Sequence, residues 1–96
     1  TETVRAFTTR GGVPNSSRAL GWDTMLPTSS CGTRMSPSSI GHTGFTGTSL
    51  WIDPAIGLYI VLLASRLYPT ANNDHTAIQT IRSALHDTVI EDWLTE

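Results

Sequence analysis

Residues 58–65, LYIVLLAS, are apolar at nearly every position. Read as a strand, the segment puts Leu58, Ile60, Leu62 and Ala64 on one face and Tyr59, Val61, Leu63 and Ser65 on the other. Both faces are apolar, the pattern of a strand covered on both sides. Just upstream, residues 47–52 are rich in β-branched and aromatic side chains, and Asp53-Pro54-Ala55-Ile56-Gly57 is turn chemistry. Together these segments predict a β-hairpin. Further upstream, Leu20 and Trp22 alternate with Gly21 and Asp23 as in a short half-buried strand, and Glu2 to Thr9 spaces Val4 and Phe7 as on a short helix ended by Gly11, Gly12 and Pro14. Between them and the hairpin lie residues 24–39, TMLPTSSCGTRMSPSS, whose Ser, Thr, Pro and Gly content predicts a loop. A loop of this length in a small domain is functional or covers something.

After Tyr68-Pro69 and the polar bridge TANND, the last 20 residues repeat apolar positions at steps of three and four: Ile78, Ile81, Leu85, Val89 and Trp93. This predicts an amphipathic helix, with Asn73 or Asp74 as N-cap and His75 and His86 at its start and on its polar face, both solvated. One helix covers one face of the hairpin, and the segment at residues 2–9 is too short to cover the other. An uncovered large apolar side chain forgoes roughly 1.5–3 kcal/mol. A typical domain is stable by only about 5–15 kcal/mol. The expectation is a chain that does not stand alone, unless the serine-rich loop and the first helix fold back far enough to close the gap. The predicted class is α+β: an antiparallel sheet segment packed against a C-terminal amphipathic helix, incomplete by itself.

Composition narrows the chemistry. Ninety-six residues suffice for one small domain. A net charge of -2 gives no basic stripe for phosphate backbones, which argues against a nucleic-acid partner. The longest apolar run, from Leu58 to Ala64, is far short of a membrane span. No signal-peptide pattern opens the sequence, so a soluble chain of undetermined compartment is expected. A single cysteine, Cys31, precludes an internal disulfide, and the histidines and carboxylates lack metal-ligand spacing, so neither a metal nor another cofactor is expected. Nothing beside Cys31 in its polar loop argues for a lowered thiol pKa. All six basic residues are arginine; there is no lysine.

The candidate chemistry sits at residues 39–46, SIGHTGFT, where His42 stands among glycines directly before the hairpin. On its own, a histidine in a sheet is most simply a hydrogen-bonded structural residue. The order LGW, GHTGFTGTSLWIDP, GLYIVLLASRLYP and a closing amphipathic helix changes that reading. It resembles the C-terminal third of the serine β-lactamase and penicillin-binding-protein superfamily, most closely the class C β-lactamase-related branch with its esterases and D-amino-acid peptidases. The resemblance runs from about Thr3 to Leu94, so the whole chain, 1–96, is expected to be one C-terminal portion of such a hydrolase domain.

The family motif is Lys-Thr-Gly, or His-Thr-Gly in many related hydrolases, on a strand that walls the active site. The resemblance implies that His42 supports the hydrogen-bond network around nucleophile and substrate. It implies that Thr43 donates to a substrate carboxylate or carbonyl, and that Gly44 lets substrate approach the backbone. The backbone N–H of Phe45 would be one of two oxyanion donors. The glycines would keep the cleft wall bare. The family's Ser-x-x-Lys nucleophile motif and its Tyr-x-Asn motif are both missing, the first necessarily in a chain without lysine. A serine hydroxyl without an adjacent base is a poor nucleophile, so acyl transfer needs a complementary N-terminal segment as partner.

Histidine in place of the permanently charged lysine weakens attraction for carboxylated substrates and favours an esterase or related amidase over a dedicated β-lactamase. The substrate class is a small ester, amide or peptide. A second reading is a non-catalytic module of the same fold that binds peptide or protein through an exposed strand edge and apolar face.

Overall fold

The computed structural model describes residues 1–65 and 76–95. In chain order the elements are α1 (Glu2–Thr8), β1 (Asp23–Thr24), β2 (Ile40–Thr43), β3 (Ser49–Asp53), β4 (Leu58–Leu62) and α2 (Thr76–Thr95). The four strands form one antiparallel sheet in the order β1-β2-β3-β4. The α+β class, the hairpin and the closing helix follow the sequence pattern. The Tyr68-Pro69 segment, the Asn73 or Asp74 cap and His75 lie outside the described residues.

Register divides the sheet into two unlike faces. Gly41 pairs with Trp51 and Trp51 with Ile60, so these three share the face that forms the core. There Trp51, Ile60, Cys31, Met35 and Ile90 of α2 make one buried cluster, flanked by Met25, Ile56, Leu58 and Val89. On the other face His42 pairs with Leu50 and Leu50 with Val61, beside the row Ile40, Ile52 and Tyr59. That face is bare toward β4: Tyr59 is 69%, Val61 51% and Leu63 82% exposed. Helix α1, capped by the Thr1 hydroxyl, buries no residue. It lies by Trp22 and Ile40, where Val4 and Phe7 line a shallow apolar depression with them. One helix and one loop therefore cover one side of the sheet, and the other described residues supply nothing of that size for the opposite side.

The serine-rich loop is a cover. It carries Cys31 and Met35 into the core and is fastened at two points by carboxylates. The fully buried Asp53, at the end of β3, accepts from Ser36 N (2.7 Å), Ser36 Oγ (2.6 Å) and Ala55 N (3.1 Å). Burial alone would raise its pKa, but these hydrogen bonds outweigh burial and hold the carboxyl below its ordinary value. Asp87 of α2 accepts from Thr33 N (2.8 Å), Thr33 Oγ1 (3.2 Å) and Arg34 N (3.2 Å). Gly32 fits beneath it because its φ is +83° and a Cβ there would lie 2.4 Å from Asp87 Oδ1.

Two expectations need correction. The strand expected at Leu20 and Trp22 starts later: Ala19 N donates to Trp22 O (2.9 Å) and Gly21 has φ +73°, so residues 19–22 turn and leave Leu20 exposed. His86 is fully buried rather than solvated. The buried row of α2 is Ile78, Arg82, His86 and Ile90, four apart, whereas Ile81 and Trp93 of the expected apolar stripe are about half exposed. Cys31, for which the sequence offers no cause of a lowered thiol pKa, is fully buried, and burial first of all pushes its thiol up to about 12. A maleimide or disulfide reagent is thus expected to modify Cys31 slowly in the native protein and rapidly in concentrated guanidinium, read by mass spectrometry; equal rates would place the thiol outside the core.

Candidate functional site

Strand β2 and the turn that follows it, residues 44–48, build the candidate site. Side chains alternate along β2, so His42 lies on the bare face and Gly41 on the core face. The two glycines around His42 answer to different needs. At Gly41 a Cβ would sit 2.1 Å from Trp51 Cδ2, so this glycine makes room for the indole crossing it from β3. It serves the core, and the expectation that it keeps the cleft wall bare is corrected. At Gly44 a Cβ would meet Thr48 Oγ1 at 2.5 Å, inside the closed turn.

That turn is tightly made. Gly44 N donates to Thr48 O (2.7 Å) and Gly47 N to Gly44 O (3.1 Å), with Gly47 at φ +120°. Phe45 stands at its tip, 67% exposed. His42, Gly44, Thr48, Leu50, Val61 and Leu63 line one shallow depression on the bare face. Of the residues singled out by sequence, His42 and Gly44 meet there, and Phe45 follows on the same turn. Thr43 does not line the depression; alternation places it on the opposite face, where its register partner is Ser49. Among the described residues, no group of three or more His, Cys, Asp or Glu side chains is placed to hold a metal ion. Among them, too, no helix is long and apolar enough to cross a membrane.

Two buried polar side chains of α2 escaped sequence reasoning. Arg82 reaches across the core to the turn, its Nη2 lying 3.4 Å from both Gly44 O and Thr48 O. One turn further along α2 sits His86, neither of whose ring nitrogens has a hydrogen-bond partner among the described residues. The available signal was Ile78 and Ile90 bracketing two polar residues at four-residue steps, the spacing of a single helix face.

Burial pushes the His86 pKa below the usual histidine value; neighbouring Asp87 opposes the shift and Arg82 adds to it. A histidine with a lowered folded pKa leaves the unfolded chain binding the extra proton first. Stability is therefore full above the unfolded value near 6.5 and falls as pH drops from there toward the folded value. The slope is at most about 1.4 kcal/mol per pH unit. His86→Leu is expected to flatten this decline between pH of about 7 and about 5 and to stabilise the protein at the acid end. Denaturant midpoints of both proteins across that range check it; parallel curves would show that His86 does not titrate with folding.

An antiparallel sheet backed on one face by a long closing helix, with His42 and Gly44 of the His-Thr-Gly motif on the other face, defines part of a β-lactamase-like fold. The Beta-lactamase family model matches residues 1–84, and the chain belongs to that family. The chain is 43% identical over 70 residues to the Escherichia coli (strain K12) protein named "Putative D-alanyl-D-alanine carboxypeptidase", covering 68% of this chain and 15% of that one. A protein of the same name from Salmonella gallinarum is 40% identical over 77 residues, covering 74% of this chain and 17% of the relative. The chain thus spans about a sixth of these relatives' length, at 15% and 17%. No solved structure matches it.

Proposed function

We propose that this chain is the C-terminal portion of a serine hydrolase that works through an acyl-enzyme, with its Ser-x-x-Lys nucleophile in a complementary segment. The observation that carries the reading is His42 on the bare face beside Gly44, next to the turn that bears Phe45. In this reading the complementary segment packs over Tyr59, Val61 and Leu63 and brings its serine to the depression. The serine Oγ attacks the substrate carbonyl as its proton passes to the partner base. The tetrahedral oxyanion is held by the Phe45 N–H and a second donor of the other segment. Collapse expels the leaving group, which takes up the proton, and water then releases the acyl group by the same route. His42 supports the polar network at the substrate's end and Gly44 allows close approach, whereas Thr43, on the opposite face, takes no part in this depression.

The substrate is a small ester, amide or peptide. The relatives' name puts a peptide ending in D-alanyl-D-alanine first among amides, and histidine at position 42 keeps simple esters ahead of carboxylated β-lactams. The test joins this chain, by fusion or co-expression, to the segment carrying Ser-x-x-Lys. A fluorophosphonate is expected to label the serine of that segment and never this chain, with hydrolysis of a p-nitrophenyl ester or a D-alanyl-D-alanine peptide outpacing that of a β-lactam. A faster β-lactam reaction would reverse the substrate order.

One feature favours a second reading. Among the described residues strand β4 ends the sheet on the side away from β1 and is flanked by exposed apolar side chains, a template for an added strand. Absence of labelling on any chain, together with saturable peptide binding, would mark the protein as a binding module.

A further inference from the structure

We infer that Arg82 is a positioning residue for the oxyanion site: its guanidinium holds the peptide unit that joins Gly44 to Phe45. The inference rests on the reading of Phe45 N–H as an oxyanion donor. The carbonyl of Gly44 and the N–H of Phe45 belong to the same planar, trans peptide, so they point in opposite directions and move together. Whatever anchors the carbonyl aims the N–H.

Among the described residues, two donors reach that carbonyl. Gly47 N, from inside the turn, lies 3.1 Å from it, and Arg82 Nη2, from the helix behind the sheet, lies 3.4 Å from it. The same Nη2 is 3.4 Å from Thr48 O, the atom that accepts from Gly44 N at 2.7 Å and closes the turn. One cationic group thus grips both ends of residues 44–48 from the core side, where α2 packs, and the Phe45 N–H is directed away from the helix.

The location of Arg82 makes this more than a surface contact. Its side chain is only 4% exposed, in the interior row of α2 between Ile78 and His86, and burying a guanidinium is costly unless it is satisfied there. A buried cation at a carbonyl oxygen also polarises that amide, which strengthens the N–H at its other end as a donor. Charge developing on a tetrahedral oxygen is where such a donor counts most. The arrangement predicts a loss concentrated in the transition state, with substrate binding preserved.

The experiment uses the chain joined to the Ser-x-x-Lys segment and begins with the unmodified protein. If a fluorophosphonate fails to label it, the proposed function fails, whatever Arg82 does. Given labelling, Arg82→Met is expected to lower kcat about 10- to 100-fold with KM within about twofold. It should also weaken a boronic acid, which forms a tetrahedral adduct on the serine, by about tenfold or more, while a product-like peptide binds as before. Unchanged kcat and boronate affinity in the folded variant would overturn the inference, as would equal losses in boronate and peptide affinity. Should Arg82→Met not fold, Arg82→Lys takes its place; it keeps the charge but not the planar guanidinium whose Nη2 lies between the two carbonyls, and the same split with a loss of about fivefold is expected. If neither variant folds, Arg82 is a packing element only and the inference fails.

Discussion

Truncating Trp51 to alanine is expected to cost about 3–5 kcal/mol, the largest stability effect of any single side chain here. The indole is fully buried at the centre of the core cluster, between Gly41 on one strand and Ile60 on the other. Its Nε1 has no hydrogen-bond partner among the described residues, so its contribution is packing. Glycine opposite a large aromatic makes the pair interdependent. Gly41→Ala puts a methyl 2.1 Å from the ring and must displace it, whereas the same methyl in Trp51→Ala enters the vacated space. The double variant is therefore expected to be less destabilised than the two single changes summed, by about 0.5–3 kcal/mol. Denaturant midpoints of the four proteins, each joined to the complementary segment, measure the coupling. Strict additivity would mean that the ring does not occupy the space over Gly41.

The second large effect belongs to catalysis. In the joined protein, His42→Ala is expected to reduce kcat/KM for an ester by about 10²-fold or more, within the range typical of a positioned acid–base or hydrogen-bonding side chain. Because His42 lies on the exposed face with Leu50 as its cross-strand neighbour, the melting temperature should hardly change. His42→Lys restores the family's more highly charged motif. A permanent cation there should raise the activity ratio of a carboxylated β-lactam to a neutral ester. Steady-state rates on the two substrates provide the check; a loss of stability without loss of rate on His42→Ala would make the histidine a structural member of the sheet.

The hairpin, the closing helix and the one-sided cover were readable from the chain because strand alternation and turn residues are local signals. Leu58–Leu62 is apolar on both faces, and the side that α2 leaves uncovered is the one carrying Tyr59, Val61 and Leu63. What escaped was decided by partners distant in sequence. Arg82 and His86 read as polar positions on a helical wheel; only the turn at residues 44–48 and the packed core reveal them as interior. Gly41 looked like a cleft glycine until the register set Trp51 across from it. Cys31 sat in a stretch whose composition says loop, and its burial depends on two carboxylates far along the chain. Gly21 displaced the first strand because one residue at positive φ suffices to make a turn where alternation alone suggests an extended chain.

The two carboxylate fastenings have an architectural corollary. Asp87 grips Thr33 and Arg34, Asp53 grips Ser36, and only Met35, sunk in the core, lies between. This short span is a tie bar between helix and sheet whose length sets how far apart the two can stand. An added or deleted residue there would slip one grip or drag Met35 from its seat, while the surface bend around Pro27 and Thr28 could lengthen without loss. Among kindred sequences, gaps should therefore gather at the bend and spare the bar.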